Sequence, residues 1–392
     1  MGQHFVKSMK KKVIIIVHQL NIGGVQKALI SALNAIDYSK NEVTLYVRKN
    51  RTDLIPLVNR NVSRIIINQD KTRYYRKPYS VWLQLKHVLT KKQKYLSMLN
   101  NYIVSSQMKY EKERYFSDDI EYDLAVSYIQ SYTTKFVDEN LKARRKVMFY
   151  HGSTDEFHDV NEKAMQHFER IYCVSKGAQK AVKGFYPQYA EKIDCIENYV
   201  DAEIVRQKAN EFVPDYQNDK QILCSCGRIT PVKGYDLAVG AAEILKKSGL
   251  DFKWYFVGDG VNRPKIEALI SEKQLDDYIV ITGLKDNPYP YIKNCDIYVQ
   301  PSYEEAHPLS IIEAQVLNKP IVSTATAGGQ SIINDGENGV IADINSESIA
   351  QKISLIYQDK ALQKAIQNNL AKIDYIKDYQ RFRNDWKKLL EG

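Results

Sequence analysis

The sequence contains 392 residues with a net charge of +9, and 44% of its residues are hydrophobic. This length predicts two or three domains, each large enough for its own hydrophobic core. The composition excludes a wholly disordered or collagen-like chain, and no apolar run reaches the ~20 residues that a membrane-spanning helix needs. Five scattered cysteines are typical of reduced thiols in a cytoplasmic protein, and Cys224-x-Cys226 is interpreted as strand packing rather than a metal site.

The first half of the chain alternates short apolar runs with helical patterns. The runs are rich in Val, Ile and Tyr, and they predict strands at residues 12–17, 43–48, 63–67, 123–128, 145–150, 170–174 and 193–196. Helical patterns at residues 25–33 and 162–170 lie between some of these strands. Such alternation predicts a parallel sheet with helices on both faces.

The positive charge is concentrated between Asp70 and Glu111, where no acidic residue occurs. The cationic residues of this window are Lys71, Arg73, Arg76, Lys77, Lys86, Lys91, Lys92, Lys94 and Lys109, and together they equal the net charge of the whole chain. Apolar residues recur near helical spacing from Val81 to Leu99, which indicates either a basic membrane-surface helix or a site for an anionic partner. The alternative is a solvated helix packed on its domain. Nucleic acid is not expected, because no zinc-finger spacing or RRM-type motif occurs.

The alternation restarts after a polar stretch at residues 208–220. The predicted strands are 221–226, 253–257, 278–282, 296–299, 320–324 and 339–342, and the predicted helices include 235–247, 346–358, 361–373 and a charged segment from Tyr375 to Leu390. The chain is therefore predicted to form two Rossmann-like domains in tandem. Because open α/β sheets bind ligands at the carboxyl ends of their strands, we expect the site in a cleft between the two domains.

Two glycine-containing loops follow predicted strands of the second half. In the first, residues 226–234, Arg228 and Lys233 place two cations beside the next helix, an arrangement that suits a diphosphate. The second loop, Val257-Gly258-Asp259-Gly260, is a tight turn at the same edge. Arg263 stands where the third glycine of a dinucleotide-binding fingerprint belongs, so the sequence gives little support for NAD.

The densest group of polar residues runs from Gln300 to Ala314 and contains two carboxylates. Pro308 suits the first turn of a helix, which places Glu305 in the preceding loop and Glu313 more than one turn inside the helix. The free amides at the helix start then offer an anion site. Carboxylates accept hydrogen bonds from hydroxyl groups, so a sugar beside Glu305 and a ribose beside Glu313 would satisfy this geometry.

In combination, these features resemble a family 4 glycosyltransferase with the GT-B fold. The resemblance spans nearly the whole chain, and its strongest motif is the E-x7-E pair of Glu305 and Glu313 downstream of the Arg228 and Lys233 loop. Supporting matches are Gly23-Gly24, Val174-Ser175, Asn198-Tyr199-Val200-Asp201 and Asp335-Gly336-Glu337-Asn338-Gly339.

The resemblance implies roles for the matching residues. For catalysis they are Glu305, His151, Arg228 and Lys233, and for donor binding they are Gly23, Gly24, Arg228, Lys233, Gly283, Leu284, Leu309, Ser310 and Glu313. Arg228 and Lys233 would stabilise the departing diphosphate. Glu305 would face the anomeric carbon of the sugar, and Glu313 would bind the ribose hydroxyls.

The resemblance also implies a reaction. We expect a metal-independent, retaining transferase of the bacterial cell-surface polysaccharide type, such as capsule synthesis, which needs no cofactor beyond its nucleotide-sugar donor. UDP is preferred over GDP as the nucleotide, and a lipid-linked or cell-surface glycan is the expected acceptor. Two alternatives remain open: a nucleotide-sugar 2-epimerase on the same fold, and a non-catalytic subunit that binds glycan.

Sequence departures from the family occur in two loops that are expected to touch the donor. Val25-Gln26-Lys27 follows the glycine pair in place of the more usual Ala-Glu-Arg, and Ala306-His307-Pro308 follows Glu305. His307 is interpreted either as a sugar contact or as a residue that caps the helix beside Pro308.

The predicted architecture is α/β with the GT-B fold. An acceptor-side domain spans residues 1–200, a nucleotide-sugar-binding domain spans 201–374, and a helix at 375–392 returns to the first domain. We expect a cytoplasmic protein at the inner face of the cell membrane, held on an anionic surface by residues 71–110.

Overall fold

A computed structural model describes residues 9–69, 86, 93–152, 162–216 and 220–392. The chain forms two compact units. The first comprises Met1–Asn21, Ile36–Tyr150 and Phe157–Tyr172, and the second comprises Ile22–Ala35, His151–Glu156 and Cys173–Gly392. These units interleave along the chain, whereas the predicted domains are consecutive ranges. The predicted domain bounds stay a prediction.

The strands of the described residues lie close to the predicted positions. In chain order they are β1 (Lys11–Val17), β2 (Asn41–Val47), β3 (Arg64–Ile67), β4 (Tyr122–Ser127), β5 (Ala143–Tyr150), β6 (Arg170–Cys173), β7 (Ile193–Cys195), β8 (Gln221–Cys226), β9 (Phe252–Val257), β10 (Ile279–Gly283), β11 (Ile297–Gln300), β12 (Ile321–Thr324) and β13 (Val340–Ala342). Every predicted strand therefore corresponds to an observed strand.

The helices of the described residues are numbered in the same way. They are α1 (Gly24–Ala35), α2 (Gln93–Tyr115), α3 (Tyr132–Asn140), α4 (Glu162–Met165), α5 (Lys176–Phe185), α6 (Ala202–Lys208), α7 (Tyr235–Lys247), α8 (Arg263–Glu272), α9 (Tyr289–Asn294), α10 (Leu309–Val316), α11 (Ala327–Ile332), α12 (Ser346–Gln358), α13 (Lys360–Leu370) and α14 (Tyr375–Glu391). The helix predicted at 162–170 is wrong at its end. Helix α4 stops at Met165 because Phe168 is buried in the core and the Glu169 amide donates to the Lys146 carbonyl, which leads the chain into β6.

The first unit is built on a parallel sheet with the strand order β3-β2-β1-β4-β5-β6. Strand β1 pairs with β2 on one side and with β4 on the other, and its apolar residues Val13 to Val17 are buried. A continuous apolar run is expected for a central parallel strand that is covered on both faces.

The second unit contains a parallel sheet with the strand order β10-β9-β8-β11-β12-β13. Trp254 and Phe256 of β9 are fully buried on the face covered by α7, α8 and α12. The strand order reverses between β8 and β11, so the loops after these two strands begin side by side at the carboxyl edge. This reversal is the topological switch point at which open α/β sheets bind their ligands.

Helix α14 belongs to the second unit, where it contacts α1. It buries Phe382, Trp386, Leu389 and Leu390. The Phe382 ring stacks on Tyr199 at a centroid distance of 5.4 Å. Both α1 and Tyr199 belong to the same unit as α14, and the predicted return of this helix to the first domain stays a prediction.

Most of the basic window 71–110 lies outside the described residues. Within the described part, α2 begins at Gln93, and Leu99 is the buried member of the predicted apolar stripe. Among the described helices, none combines the length and apolar character needed to cross a membrane.

Candidate functional site

The loops at the switch point are held together by a close backbone approach. After β8 the chain passes through Arg228 into a short 3₁₀ turn, Pro231–Lys233, and Gly234 then adopts a left-handed conformation with φ +62°. A Cβ atom on Gly234 would lie 2.0 Å from the carbonyl oxygen of Pro301, in the loop that follows β11. Glycine is therefore required here, because the two loops could not approach so closely with a side chain between them.

Glu305 is fixed by three hydrogen-bond donors on one of its oxygens. Its Oε1 accepts from Lys233 Nζ at 2.6 Å, from Gln300 Nε2 at 2.8 Å and from Ser302 Oγ at 2.8 Å. Gln300 is itself oriented by Tyr298 and Ser310, whose hydroxyls both donate to its Oε1. Within the described part of the chain this leaves Glu305 Oε2 without a donor. The carboxylate is thus rigidly oriented, and one oxygen remains for a ligand.

Glu313 is fixed in the same manner by a different pair. Helix α10 carries it, and its side chain is 3% exposed. Lys27 Nζ lies 2.7 Å from its Oε1, and the Tyr289 hydroxyl donates to that same oxygen at 3.1 Å. Burial lowers the pKa of Lys27, but the Glu313 carboxylate outweighs this effect and raises the pKa above its ordinary value. Lys27 is therefore charged, and Glu313 Oε2 has no donor among the residues described.

Both carboxylates line one cavity of about 270 Å³ that lies wholly in the second unit. Nearly all of the predicted site residues line it: Gly23, Gly24, His151, Arg228, Lys233, Leu284, Glu305, Leu309, Ser310 and Glu313. Gly283 does not. It has φ +73° and forms a bridge with Gly258, and the next two residues, Leu284 and Lys285, line the cavity instead. The loop from Asp335 to Gly339 does not line the cavity either.

The positive charge in this cavity is unevenly neutralised. Lys233 and Lys27 are paired with carboxylates, whereas Arg228 is exposed and has no ion pair among the described residues. Helix α10 also begins at the cavity, and Pro308 before it provides no side-chain cap, so the first amides of the helix are open. An anion could therefore be held here by Arg228 together with backbone N–H groups.

Two titratable side chains of the lining are electrically neutral. Burial lowers the pKa of His307 to about 4, so its imidazole is uncharged at neutral pH. Burial, followed by the nearby Glu313 carboxylate, raises the pKa of the Cys226 thiol to about 12. Cys226 is therefore a protonated thiol, which is a poor nucleophile.

Metal ligation has no visible basis in this part of the molecule. No group of three or more His, Cys, Asp and Glu side chains suited to a metal ion occurs among the residues that the structure describes. The expectation that the reaction needs no metal ion stays a prediction.

Known proteins resemble this chain in the part that carries the cavity. Residues 206–373, which carry Arg228, Lys233, Glu305 and Glu313, match the family model described as glycosyl transferases group 1. The chain is 30% identical over 180 residues to the N-acetylgalactosamine-N,N'-diacetylbacillosaminyl-diphospho-undecaprenol 4-alpha-N-acetylgalactosaminyltransferase of Campylobacter jejuni, a match that covers 45% of this chain and 48% of that protein. The chain spans about half the length of the curated relatives that it matches.

Solved structures resemble the chain over almost its full length. Anabaena HepE in complex with UDP-glucose has a TM-score of 0.69 at 16% identity, covering 96% of this chain and 99% of that one. The sucrose-phosphate synthase of Thermosynechococcus elongatus has a TM-score of 0.70 at 16% identity, covering 97% and 98%. The fold is GT-B. At this level of identity the likeness concerns the fold alone, and the GT-B assignment agrees with the fold expected from the sequence.

Lys27 and His307 line the cavity as well. Both lie in segments that were expected to touch the donor, and a sugar contact was one of the two interpretations of His307, but Lys27 was not assigned a role. Lys27 lies 286 positions from its partner Glu313, and no sequence spacing relates the two. The sequence feature that points to Lys27 is its position, one turn into the helix that follows Gly23-Gly24. Cys226 and Asn198 also line the cavity. Asn198 begins one of the segments that match the family, and Cys226 begins the loop that carries Arg228, but neither was assigned a role.

Proposed function

We propose that this protein is a retaining glycosyltransferase that moves a sugar from a nucleotide-sugar to a lipid-linked or cell-surface glycan acceptor. The observation that carries the proposal is the arrangement of Glu305 and Glu313 in one cavity. Each carboxylate is fixed through Oε1 and has no donor on Oε2 among the described residues, and the unpaired Arg228 lines the same space. Two oriented acceptors and a free cation match the hydroxyls and the diphosphate of a nucleotide-sugar.

The chemistry follows from where charge develops. When the bond between the anomeric carbon and the phosphate oxygen breaks, negative charge grows on the leaving diphosphate. Arg228, Lys233 and the amides that begin α10 are positioned beforehand to stabilise that charge. Positive charge grows at the anomeric carbon, where the Glu305 carboxylate provides favourable electrostatics.

Retention of configuration requires attack on the face that the leaving group vacates. The acceptor oxygen bonds to the anomeric carbon as the phosphate departs, and the hydroxyl proton passes to the departing phosphate oxygen. No protein base is needed in this scheme, and Glu313, bonded to Lys27 and Tyr289, is assigned to the ribose hydroxyls. The two-carboxylate scheme of glycosidases is not used.

UDP is the proposed nucleotide and GDP the alternative. HepE, whose fold this chain shares, was solved with UDP-glucose. The acceptor class is supported by the Campylobacter relative, whose name specifies a diphospho-undecaprenol-linked substrate. Attachment to an anionic membrane surface through residues 71–110, at the cytoplasmic face, belongs to the same proposal.

Calorimetric titration with UDP, GDP and ADP tests the nucleotide site directly. We expect UDP to bind, and Lys233→Ala and Arg228→Ala each to weaken binding at least tenfold, because each removes a cation from the diphosphate. Lys364→Ala is the matched control, since it removes an exposed lysine from α13 of the same unit. If no nucleotide binds the wild type, both the transferase and the epimerase assignments fail. Donor turnover that is independent of any acceptor would favour the 2-epimerase.

A further inference from the structure

A group of basic residues lies at the carboxyl edge of the first unit's sheet. His18 follows β1, and Arg48, Lys49 and Arg51 follow the neighbouring strand β2. These four residues are called the strand-end cluster below. None of the four residues lines the nucleotide cavity, and the carboxyl edge of an α/β sheet is a place at which such sheets bind ligands.

Backbone hydrogen bonds hold the two loops of the cluster in register. The Lys49 amide donates to the His18 carbonyl at 2.8 Å, and the Leu20 amide donates to the Arg51 carbonyl at 2.7 Å. The Arg48 amide continues the strand pairing to Val17 at 3.0 Å. The basic side chains therefore lie on two loops that are hydrogen-bonded to each other.

Arg48 is a buried member of the cluster and already has an ion-pair partner. Its side chain is 8% exposed, its Nε lies 3.3 Å from Oε1 of the fully buried Glu111, and its guanidinium lies 3.4 Å from the ring centroid of Tyr132. Glu111 also accepts from the Tyr46 hydroxyl at 3.0 Å. This network fixes Arg48 in place and pairs its guanidinium with a buried carboxylate.

The position of Arg48 determines which nitrogen of His18 carries the proton. Arg48 Nη1 lies 3.3 Å from His18 Nδ1, and a guanidinium can only donate, so Nδ1 must be the acceptor. Burial, followed by the charges of Arg48, Lys49 and Arg51, lowers the pKa of His18 to about 4. The ring is therefore neutral with its proton on Nε2, and that N–H has no acceptor among the described residues.

Lys49 and Arg51 provide the unneutralised charge. Both are exposed, and neither has an ion pair within the described part of the chain. The Arg51 amide donates to the Lys49 carbonyl at 2.7 Å, so the two residues belong to one tight turn. Burial and the like charges of Arg48 and Arg51 lower the pKa of Lys49. Lys49 and Arg51 repel each other, and the His18 Nε2–H beside them has no acceptor among the described residues. This arrangement suits a ligand that carries two negative charges.

We propose that the strand-end cluster binds a phosphoryl group of the acceptor, with Lys49 and Arg51 contacting its oxygens and His18 Nε2 donating a hydrogen bond. The inference rests on the proposed transferase function and narrows its acceptor class to substrates that carry a phosphate or diphosphate. A dianionic phosphate balances two cations, whereas a sugar carboxylate would leave one unbalanced.

Inorganic pyrophosphate is the probe, titrated calorimetrically into full-length protein saturated with UDP. We expect Lys49→Gln/Arg51→Gln to weaken pyrophosphate binding at least tenfold, a loss of about 1.4 kcal/mol, without changing UDP affinity. Lys12→Gln is the matched control, because it removes an exposed lysine from the opposite, amino end of β1. His18→Phe should also weaken binding, and His18→Gln, which keeps an N–H donor, should weaken it less.

Equal pyrophosphate affinity in the wild type and in Lys49→Gln/Arg51→Gln would overturn the inference. The inference would also be wrong if Lys49→Gln/Arg51→Gln lost binding to phosphatidylglycerol vesicles but kept its pyrophosphate affinity. The cluster would then bind lipid headgroups of the membrane rather than the acceptor. If UDP fails to bind, the proposed function fails by itself. The same pyrophosphate comparison, repeated in an Arg228→Gln/Lys233→Gln background, would still test the cluster.

Discussion

At the scale of single residues, the pairing of Lys27 with Glu313 explains how an acidic side chain can be buried at 3% exposure. Taking an isolated charge out of water costs several kcal/mol, and an ion pair supported by a further hydrogen bond offsets that cost. Tyr289 supplies the further bond, and Lys27 Nζ lies 4.7 Å from its ring centroid. The pair therefore positions Glu313 and at the same time makes it dependent on Lys27.

Lys27→Met is expected to destabilise the second unit by about 3–5 kcal/mol, because it leaves the Glu313 carboxylate buried without its cation. Lys27→Met/Glu313→Gln should recover much of this loss, since no uncompensated charge remains. Urea unfolding followed by tryptophan fluorescence in a Trp82→Phe background reports on the second unit, where Trp254 and Trp386 both lie. Additive losses in this double-mutant cycle would show that the two side chains do not interact.

At the scale of elements, the loop after β8 combines two requirements on one residue. Gly234 is left-handed, and it also lies against the Pro301 carbonyl. Gly249, after α7, is left-handed at φ +80° but has no atom within 4 Å of an added Cβ. Alanine substitutions at these two glycines therefore distinguish the free-energy cost of backbone strain from the cost of pushing two loops apart.

We expect Gly249→Ala to lower the free energy of unfolding by about 1 kcal/mol, which is the strain of a left-handed alanine. Gly234→Ala should cost at least about 2 kcal/mol more, because its Cβ would overlap the Pro301 carbonyl oxygen. The same fluorescence-detected unfolding measures both. Gly234→Ala should additionally weaken UDP binding by moving Lys233 away from Glu305. Identical losses in the two variants would rule out the contact between the loops as a structural requirement.

The elements were largely predictable from the sequence because central parallel strands are continuous apolar runs, as at residues 221–226 and 253–257. The position of Glu305 in a loop and of Glu313 within a helix was also predictable, because Pro308 indicates where that helix begins. Contacts between residues that are distant in the sequence were not predictable, since neither Lys27 nor Tyr289 carries a local signal for its contact with Glu313. The end of α4 was missed because burial of Phe168 overrides its helical spacing.

At the scale of the whole molecule, each compact unit contains a histidine whose pKa is lowered to about 4: His18 in the first unit and His307 in the second. Burial is the first cause in both. In the unfolded chain the same groups titrate near 6.5. Between these values the unfolded state binds more protons than the folded state, so stability rises with pH and is lost as the pH falls from about 6.5 towards about 4.

Melting temperatures measured from about pH 7.5 down to about pH 4.5 should therefore fall less steeply in His18→Asn and His307→Asn than in the wild type. The double variant should show the shallowest slope, because both linked protonation steps are removed. Variants and wild type should differ in slope mainly below about pH 6.5. Curves that run parallel over the whole range would mean that neither imidazole is held neutral by the fold.

The interleaving of the two units has a consequence for the order in which a growing polypeptide can fold. Every segment of the first unit has been synthesised once Tyr172 has been added. The second unit needs both α1 and α14, which lie about 340 residues apart in the sequence and contact each other. Helix α1 must therefore wait, with Lys27 unpaired, until Glu313 and α14 have been synthesised. We infer that the second unit completes after the first and is the slower of the two to form, as contacts of long sequence separation generally are.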